Sequence, residues 1–169
     1  MGDSIRYDVS LWFYELALAL RELSKNNGKF KDKVAARVRS RLRGIVGMYD
    51  ESPYDAVLFM LSKADLDFVE EHIVDILHCS EKDSCKSIML GINESDFEKL
   101  VFTVILSILL KVYIGGELGS INKKEDVAPT IKDLLSDLSS ANPFLRELLE
   151  SSLVDAKRIS EALLPSQEV

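Results

Sequence analysis

The apolar residues of this chain recur every three or four positions, which is the spacing of one face of an α-helix. In the first such segment, about Asp8 to Lys25, Trp12, Leu16 and Leu20 follow this spacing. The segment ends at Asn26-Asn27-Gly28, and a glycine at that point is typical of a helix C-terminus. We therefore predict a first helix over these residues.

The same pattern and local capping signals predict five or six further helices. Ser52-Pro53 and Asn142-Pro143 each place a capping side chain before a proline at the first helical position. Ser95 and Glu98 have the spacing of a capping box. The second predicted helix spans about residues 31–46 and ends near Gly44 and Gly47. Ser52-Pro53 opens a third helix, which restarts at Ser62 or Asp65 as a fourth helix that runs to about His78. The remaining predicted helices are 96–114, 129–139 and one that begins at residue 143 and is terminated by Pro165. Residues 80–92 break the pattern and are predicted to form a polar loop with at most a short turn.

The segment 96–114 is apolar nearly all round, which predicts a central helix enclosed by the others. Its longest apolar stretch is about five residues short of the roughly 20 that a bilayer span requires. We expect a buried helix rather than a membrane span. The predicted core residues are Val101, Phe102, Ile105, Leu106, Leu109 and Val112.

No alternating stretch is long enough to require a sheet, and no linker or repeat divides the chain. Apolar residues make up 47% of the sequence, which suits a packed core rather than disorder. The prediction is an all-α, single-domain bundle of six or seven helices over residues 1–169. Without a visible secretory signal, we expect a cytoplasmic protein that does not bind membranes.

Charge is distributed unevenly along the chain. The net charge is −7, but residues 25–43 carry eight cations against Asp32 alone, leaving 13 cations and 27 acids elsewhere. At about 100° per residue, Val34, Val38 and Leu42 fall on an apolar arc of the second helix and the cations on the rest. The candidate nucleic-acid-binding residues are Lys29, Lys31, Lys33, Arg37, Arg39, Arg41 and Arg43.

Lys33, Arg37 and Arg41 form a ladder of like charges, which should cost stability and so favours an anionic partner. Planar guanidinium groups suit bidentate contacts with phosphate. The alternatives are that the cations pair with acids on neighbouring helices or on a partner subunit, or bind membrane headgroups. The helix lacks the exposed Trp or Phe that a membrane-surface helix uses, which disfavours the last alternative.

Other candidate chemistry is weaker. No nucleophile, phosphate-loop or dinucleotide motif occurs, so we expect no catalytic residue, no enzyme activity and no cofactor. His72, Asp75 and Cys79 share one helical stripe but match no zinc-ligand spacing, so no metal site is predicted. Cys79 and Cys85 are interpreted as free reduced thiols, with a local bridge between them as the alternative.

Two segments, VAARVRSRLRGIVGMY (34–49) and AVLFMLSKA (56–64), together resemble the small helical subunit of type III CRISPR effector complexes. In that family a basic helix is followed by a turn and an apolar helix that closes on a Lys-Ala pair. The resemblance implies a role in antiviral defence as an RNA-binding subunit that lines a ribonucleoprotein filament. It implies that Arg37, Arg39, Arg41 and Arg43 contact the guide–target duplex or the displaced strand.

A second resemblance is to the helical domain of the GINS replication factors, through RLRGI (41–45) and LSKADLDFVEE (61–71). It implies that the arginines serve subunit assembly. The leading hypothesis is a non-catalytic subunit that binds RNA or single-stranded DNA without sequence specificity and contacts other protein subunits. The alternative hypothesis is a protein–protein assembly adaptor.

Overall fold

The computed structural model describes residues 2–26, 29–115, 120–140 and 142–166, with side chains for all of these except 2, 26 and 29–32. Within these ranges the protein is built from eight α-helices and two short 3-10 turns, Glu94–Asp96 and Lys124–Asp126. The helices are α1 (Gly2–Asn26), α2 (Lys29–Glu51), α3 (Pro53–Ala64), α4 (Leu66–His78), α5 (Lys82–Leu90), α6 (Phe97–Gly115), α7 (Val127–Ser139) and α8 (Pro143–Leu163).

The predicted all-α bundle is confirmed, with eight helices in the described residues rather than six or seven. One hydrophobic core takes residues from all eight. Helix α6 runs through its centre and contacts α1, α2, α3, α4 and α8. Every residue from Leu100 to Leu110 is buried, and so is Val112. All six predicted core residues are therefore buried. The all-round apolar pattern of this segment therefore identified the central helix correctly.

Three helix starts follow the local signals in the sequence. The Ser52 hydroxyl accepts a hydrogen bond from the Asp55 amide at 3.3 Å, with Pro53 in the first turn of α3. Asn142 accepts one from the Leu145 amide at 3.2 Å at the start of α8. Asp65 separates α3 from α4, and its carboxylate accepts from the Asp67 amide at 3.1 Å. These caps satisfy amides that have no partner within the helix.

Helix α2 does not end near Gly44 and Gly47, as the sequence predicted, but continues to Glu51. Both glycines lie on the solvent side of the helix. Tyr49, two residues beyond Gly47, is fully buried, and its hydroxyl donates to the Arg146 carbonyl at 2.9 Å. Packing of the last turn against α8 thus outweighs the cost of about 1 kcal/mol that each glycine imposes on a helix.

The prediction of a loop over residues 80–92 is wrong, because α5 lies there. Its first turn is closed by Ser84, whose hydroxyl accepts from the Glu81 amide at 3.2 Å and donates to the Glu81 carbonyl at 2.8 Å. Lys82 and Lys86 reach Glu22 on α1 at 2.8 and 2.7 Å. Their hydrogen bonds lower the pKa of the Glu22 carboxyl to about 2. These contacts with α1 stabilise α5, which buries only two residues, Cys85 and Met89, and so shows little helical pattern in the sequence.

The two cysteines are joined. A disulfide links Cys79, which follows the last residue of α4, to Cys85 in α5, with the two Cα atoms 5.2 Å apart. The interpretation as free thiols is therefore wrong, and the alternative of a local bridge is confirmed. The bridge closes the short connection between the two helices.

The capping box predicted at Ser95 is also wrong. Ser95 lies inside the 3-10 turn that precedes α6. The Glu98 carboxylate, which was expected to reach back to the Ser95 amide, instead accepts a hydrogen bond from Arg37. Tertiary contact with α2 therefore replaces the local cap.

Within the described residues, none of the helices has the combination of length and apolar character needed to cross a bilayer.

Candidate nucleic-acid interface

Helix α2 has an apolar side that packs and a polar side with an exposed centre. Val34, Ala35, Val38, Leu42 and Ile45 are buried against α1, α6 and α8. On the opposite side Lys33, Ser40, Gly44 and Gly47 are exposed along one strip, which we call the exposed strip. Arg43, and Asp50 and Glu51 in the last turn, are exposed as well. At about 100° per residue, the arginines lie along its two edges. Arg37 and Arg41, the α6-side pair, form one edge, and Arg39 and Arg43, the α8-side pair, form the other.

The α6-side pair shares one carboxylate. Arg37 donates from Nη1 to Glu98 Oε1 at 3.0 Å, whereas Nη2 of Arg41 is 3.9 Å from the same oxygen. The guanidinium carbon of Arg41 is 5.9 Å from the centroid of the Phe102 ring, and its Nε is buried without a hydrogen-bond partner. Arg41 is therefore the less satisfied member of this pair.

The α8-side pair binds the C-terminal end of α8. Arg39 donates from Nη1 to the Leu164 carbonyl at 3.0 Å. Arg43 donates to Glu161 Oε2 at 3.0 Å, and this bond lowers the pKa of the Glu161 carboxyl. Cations near a helix C-terminus interact favourably with its free carbonyl groups. These two arginines therefore also hold α8 against α2.

The internal pairing leaves a positive excess. The four arginines and Lys157, whose Nζ is 3.6 Å from Glu161, meet two carboxylates, which leaves an excess of three positive charges. Exposed Lys33 adds a positive charge near the start of α2, whereas exposed Asp50 and Glu51 add two negative charges at its end. The side chains of Arg37, Arg41 and Arg43 are 31%, 43% and 66% exposed. Further hydrogen-bond donors on these groups can therefore reach a ligand in solvent.

Five of the seven predicted site residues lie on this side of α2, and the side chains of Lys29 and Lys31 lie outside the described residues. The sequence reasoning missed the partners Glu98, Glu161 and the Leu164 carbonyl. They are separated from their arginines by 61, 118 and 125 residues. At such separations no local pattern could have identified them.

The residues that share a helical stripe at α4, His72, Asp75 and Cys79, are not arranged as metal ligands. His72 lies against Phe68, with ring centroids 4.4 Å apart, and the sulfur of Cys79 is taken up by its disulfide. In the described part of the chain, no group of three or more His, Cys, Asp or Glu residues is arranged to hold a metal ion.

One cation reaches into the core. Lys111 on α6 donates from Nζ to the Leu77 carbonyl at 2.5 Å and lies 5.5 Å from the centroid of the Trp12 ring. Burial lowers the pKa of the Lys111 ammonium. Lys111 thus joins α6 to the end of α4 and to α1, and we interpret it as a structural contact.

No known protein family, curated protein sequence or solved structure matches this chain.

Proposed function

We propose that this protein is a non-catalytic subunit of a ribonucleoprotein assembly that binds the phosphate backbone of RNA or single-stranded DNA through α2. The observation that carries the proposal is the arrangement of two arginine pairs along the edges of the exposed strip, with more cations than carboxylates around them. Contacts of guanidinium groups with phosphates position a strand without reading its bases.

The shape of the strip supports the proposal. Ser40, Gly44 and Gly47 have short side chains or none, and a carbon added at either glycine would meet nothing within 4 Å. A strand lying along the strip could approach the helix closely, with guanidinium groups on both sides of its phosphates. Arg41 is best placed to change partner, because its side chain is 43% exposed and its Nη2 is 3.9 Å from Glu98, which is long for a hydrogen bond.

The resemblance to the small subunit of type III CRISPR effector complexes gives the proposal a biological setting. On this proposal the protein acts in antiviral defence, lies beside other protein subunits, and contacts the guide–target duplex or the displaced strand through Arg37, Arg39, Arg41 and Arg43. Lys33 extends the same surface toward the start of α2. The proposal also includes Lys29 and Lys31, whose side chains lie outside the described residues.

The test measures binding of a labelled single-stranded RNA, and separately DNA, at several salt concentrations. The double variant Arg41→Gln/Arg43→Gln should bind more weakly than the wild type. The slope of log affinity against log salt should become less negative by about 0.7 for each phosphate that the variant no longer binds. The matched control is Lys124→Gln/Lys132→Gln, which removes the same charge at exposed lysines near or in α7.

Control and wild type should bind alike, and all three proteins should melt cooperatively. Equal affinity and equal salt slope for Arg41→Gln/Arg43→Gln and the wild type would contradict the proposal. Absence of binding by the wild type at low salt would contradict it as well.

The alternative is an assembly adaptor without nucleic-acid binding, such as a GINS-like replication factor subunit. The internal contacts of Arg37, Arg39 and Arg43 favour it, because these arginines already join α2 to α6 and α8. Purification from cells separates the two functions. A nucleic-acid-binding subunit should co-elute with material that absorbs strongly at 260 nm, whereas an adaptor should co-elute with a stable protein partner.

A further inference from the structure

Helix α1 has a second apolar stripe on the side that faces away from the core. Its inner side carries Trp12, Phe13 and Leu16, which are buried. On the outer side Tyr7, Leu11 and Tyr14 are 64%, 68% and 46% exposed, and Leu18 is half-buried. We call Tyr7, Leu11, Tyr14 and Leu18 the outer stripe.

The outer stripe has the spacing of a helix–helix seam. Its members are separated by four, three and four residues, which is the alternation of the two apolar positions in a coiled coil. Among the described residues, the other large exposed apolar side chains are Leu66, Leu90 and Phe144, which lie singly, and Tyr54 and Leu58 on α3, which half-buried Leu61 extends to a shorter stripe of three. Scattered exposed residues need no explanation, but a continuous stripe at seam spacing indicates a partner.

An ion pair joins α1 to α8 beside the stripe. Arg6 donates to both carboxylate oxygens of Asp155 on α8, from Nε at 2.6 Å and from Nη2 at 2.9 Å. A shallow groove between α1 and α8, lined by Ser10, Arg158 and Ile159 among others, lies alongside Tyr7. The groove widens the surface that a partner helix would cover.

The charges around the stripe identify the partner. Asp3 and Asp8 are exposed near the N-terminal end of α1, and Arg21 and Lys25 are exposed near its C-terminal end. Two charges of the other sign, Arg6 and Glu22, are paired with Asp155 and with Lys82 and Lys86 of the same chain. A second α1 running antiparallel would place Leu11 opposite Tyr14 and Tyr7 opposite Leu18. It would also bring Asp3 of each chain beside Arg21 of the other. A parallel arrangement would set like charges together.

We propose that the outer stripe of α1 is a self-association surface, on which two copies of this chain pair through antiparallel α1 helices around a two-fold axis. A two-fold interface uses the same patch on both subunits, and this patch is complementary to itself in both apolar spacing and charge. The proposal is independent of nucleic-acid binding, because the arginines of α2 contact α6 and the end of α8 and none of these contacts involves the outer stripe.

The experiment measures molar mass by sedimentation equilibrium over a wide range of protein concentration. The wild type should form dimers with increasing concentration. Leu11→Glu should weaken dimerisation at least tenfold while leaving the helical content and melting temperature unchanged, since Leu11 is exposed. Phe144→Glu, a change at a residue of similar exposure on α8, should dimerise like the wild type.

Charge reversal tests the orientation. Arg21→Asp should weaken dimerisation, and the added change Asp3→Arg should restore it, because the opposite charges then meet again across the interface. A wild type that stays monomeric at every concentration would overturn the proposal. So would a Leu11→Glu variant that dimerises as tightly as the wild type, or a failure of Asp3→Arg to restore dimerisation. A monomeric wild type that binds anionic vesicles through Leu11 would assign the stripe to a membrane surface instead.

Discussion

Single residues of α2 perform different tasks although they lie within one helix. Arg39 binds the free carbonyl of Leu164, Arg37 binds the carboxylate of Glu98, and Arg41 keeps an unpartnered Nε. On the exposed strip between the two arginine edges, Gly44 and Gly47 leave the backbone of the helix open to solvent. The helix thus combines structural contacts at its edges with an exposed strip between them.

The two glycines lead to a prediction about stability. Gly47→Ala, and separately Gly44→Ala, should each raise the free energy of unfolding by about 0.5–1 kcal/mol, because alanine loses less conformational entropy than glycine in a helix interior. The new methyl group would meet nothing within 4 Å. Urea denaturation followed by circular dichroism measures the change. Gly91→Ala, at the end of α5 rather than in a helix interior, is the control and should have a smaller effect.

At the scale of elements, α5 is attached to two other helices by contacts that its own sequence does not show. The disulfide from Cys79 to Cys85 attaches it to α4, and the ion pairs of Glu22 with Lys82 and Lys86 attach it to α1. Nine residues form a helix that would be marginal alone in water. Its stability should therefore follow the state of the disulfide.

Reduction of the disulfide should lower the free energy of unfolding by about 2 kcal/mol, the value expected in the chain-entropy model for a closed loop of roughly seven residues. Thermal or urea denaturation with and without a reducing agent measures the change, and hydrogen exchange should show α5 amides losing protection first. The double variant Cys79→Ser/Cys85→Ser should have the lower stability and be insensitive to the reductant. A wild type whose stability is the same under both conditions would show that the bridge adds nothing.

At the scale of the whole molecule, α6 connects the other helices through one core. Helices α1, α2, α3, α4 and α8 all contact it, and the residues on all of its sides are buried. The molecule also separates its charge, since the positive side of α2 lies in a chain of net charge −7. A destabilising substitution in α6 should therefore lower the stability of the whole bundle.

Ile105 is fully buried in α6 and provides the test. Ile105→Asn should lower the free energy of unfolding by about 4 kcal/mol, because it removes buried apolar atoms and places an amide without partners in the core. Leu90→Asn, at a residue that is 48% exposed, should change it by less than about 0.5 kcal/mol. Calorimetry compares the two variants with the wild type. Cooperative melting of Ile105→Asn near the wild-type temperature would contradict the central position of α6.

The sequence by itself determined those features whose physical cause is local. Ser52 and Asn142 cap helices with amides three residues away, and the continuous apolar surface of residues 96–114 requires burial on every side. The predicted single domain over residues 1–169 and the functional hypotheses stay predictions. For the candidate site, the sequence identified the cations of α2 and predicted that they lie opposite its apolar side, where the structure places Lys33 and the four arginines.

Only the tertiary structure decided where those cations point and which elements persist against their local preference. Helix α2 continues past two glycines because Tyr49 is buried beside α8, and α5 forms because α1 and the disulfide hold it. The carboxylates of Glu98 and Glu161 reach α2 from positions 61 and 118 residues away from their arginines. The energy of such contacts depends on distances that exist only after the chain has folded, so no periodicity along the sequence encodes them.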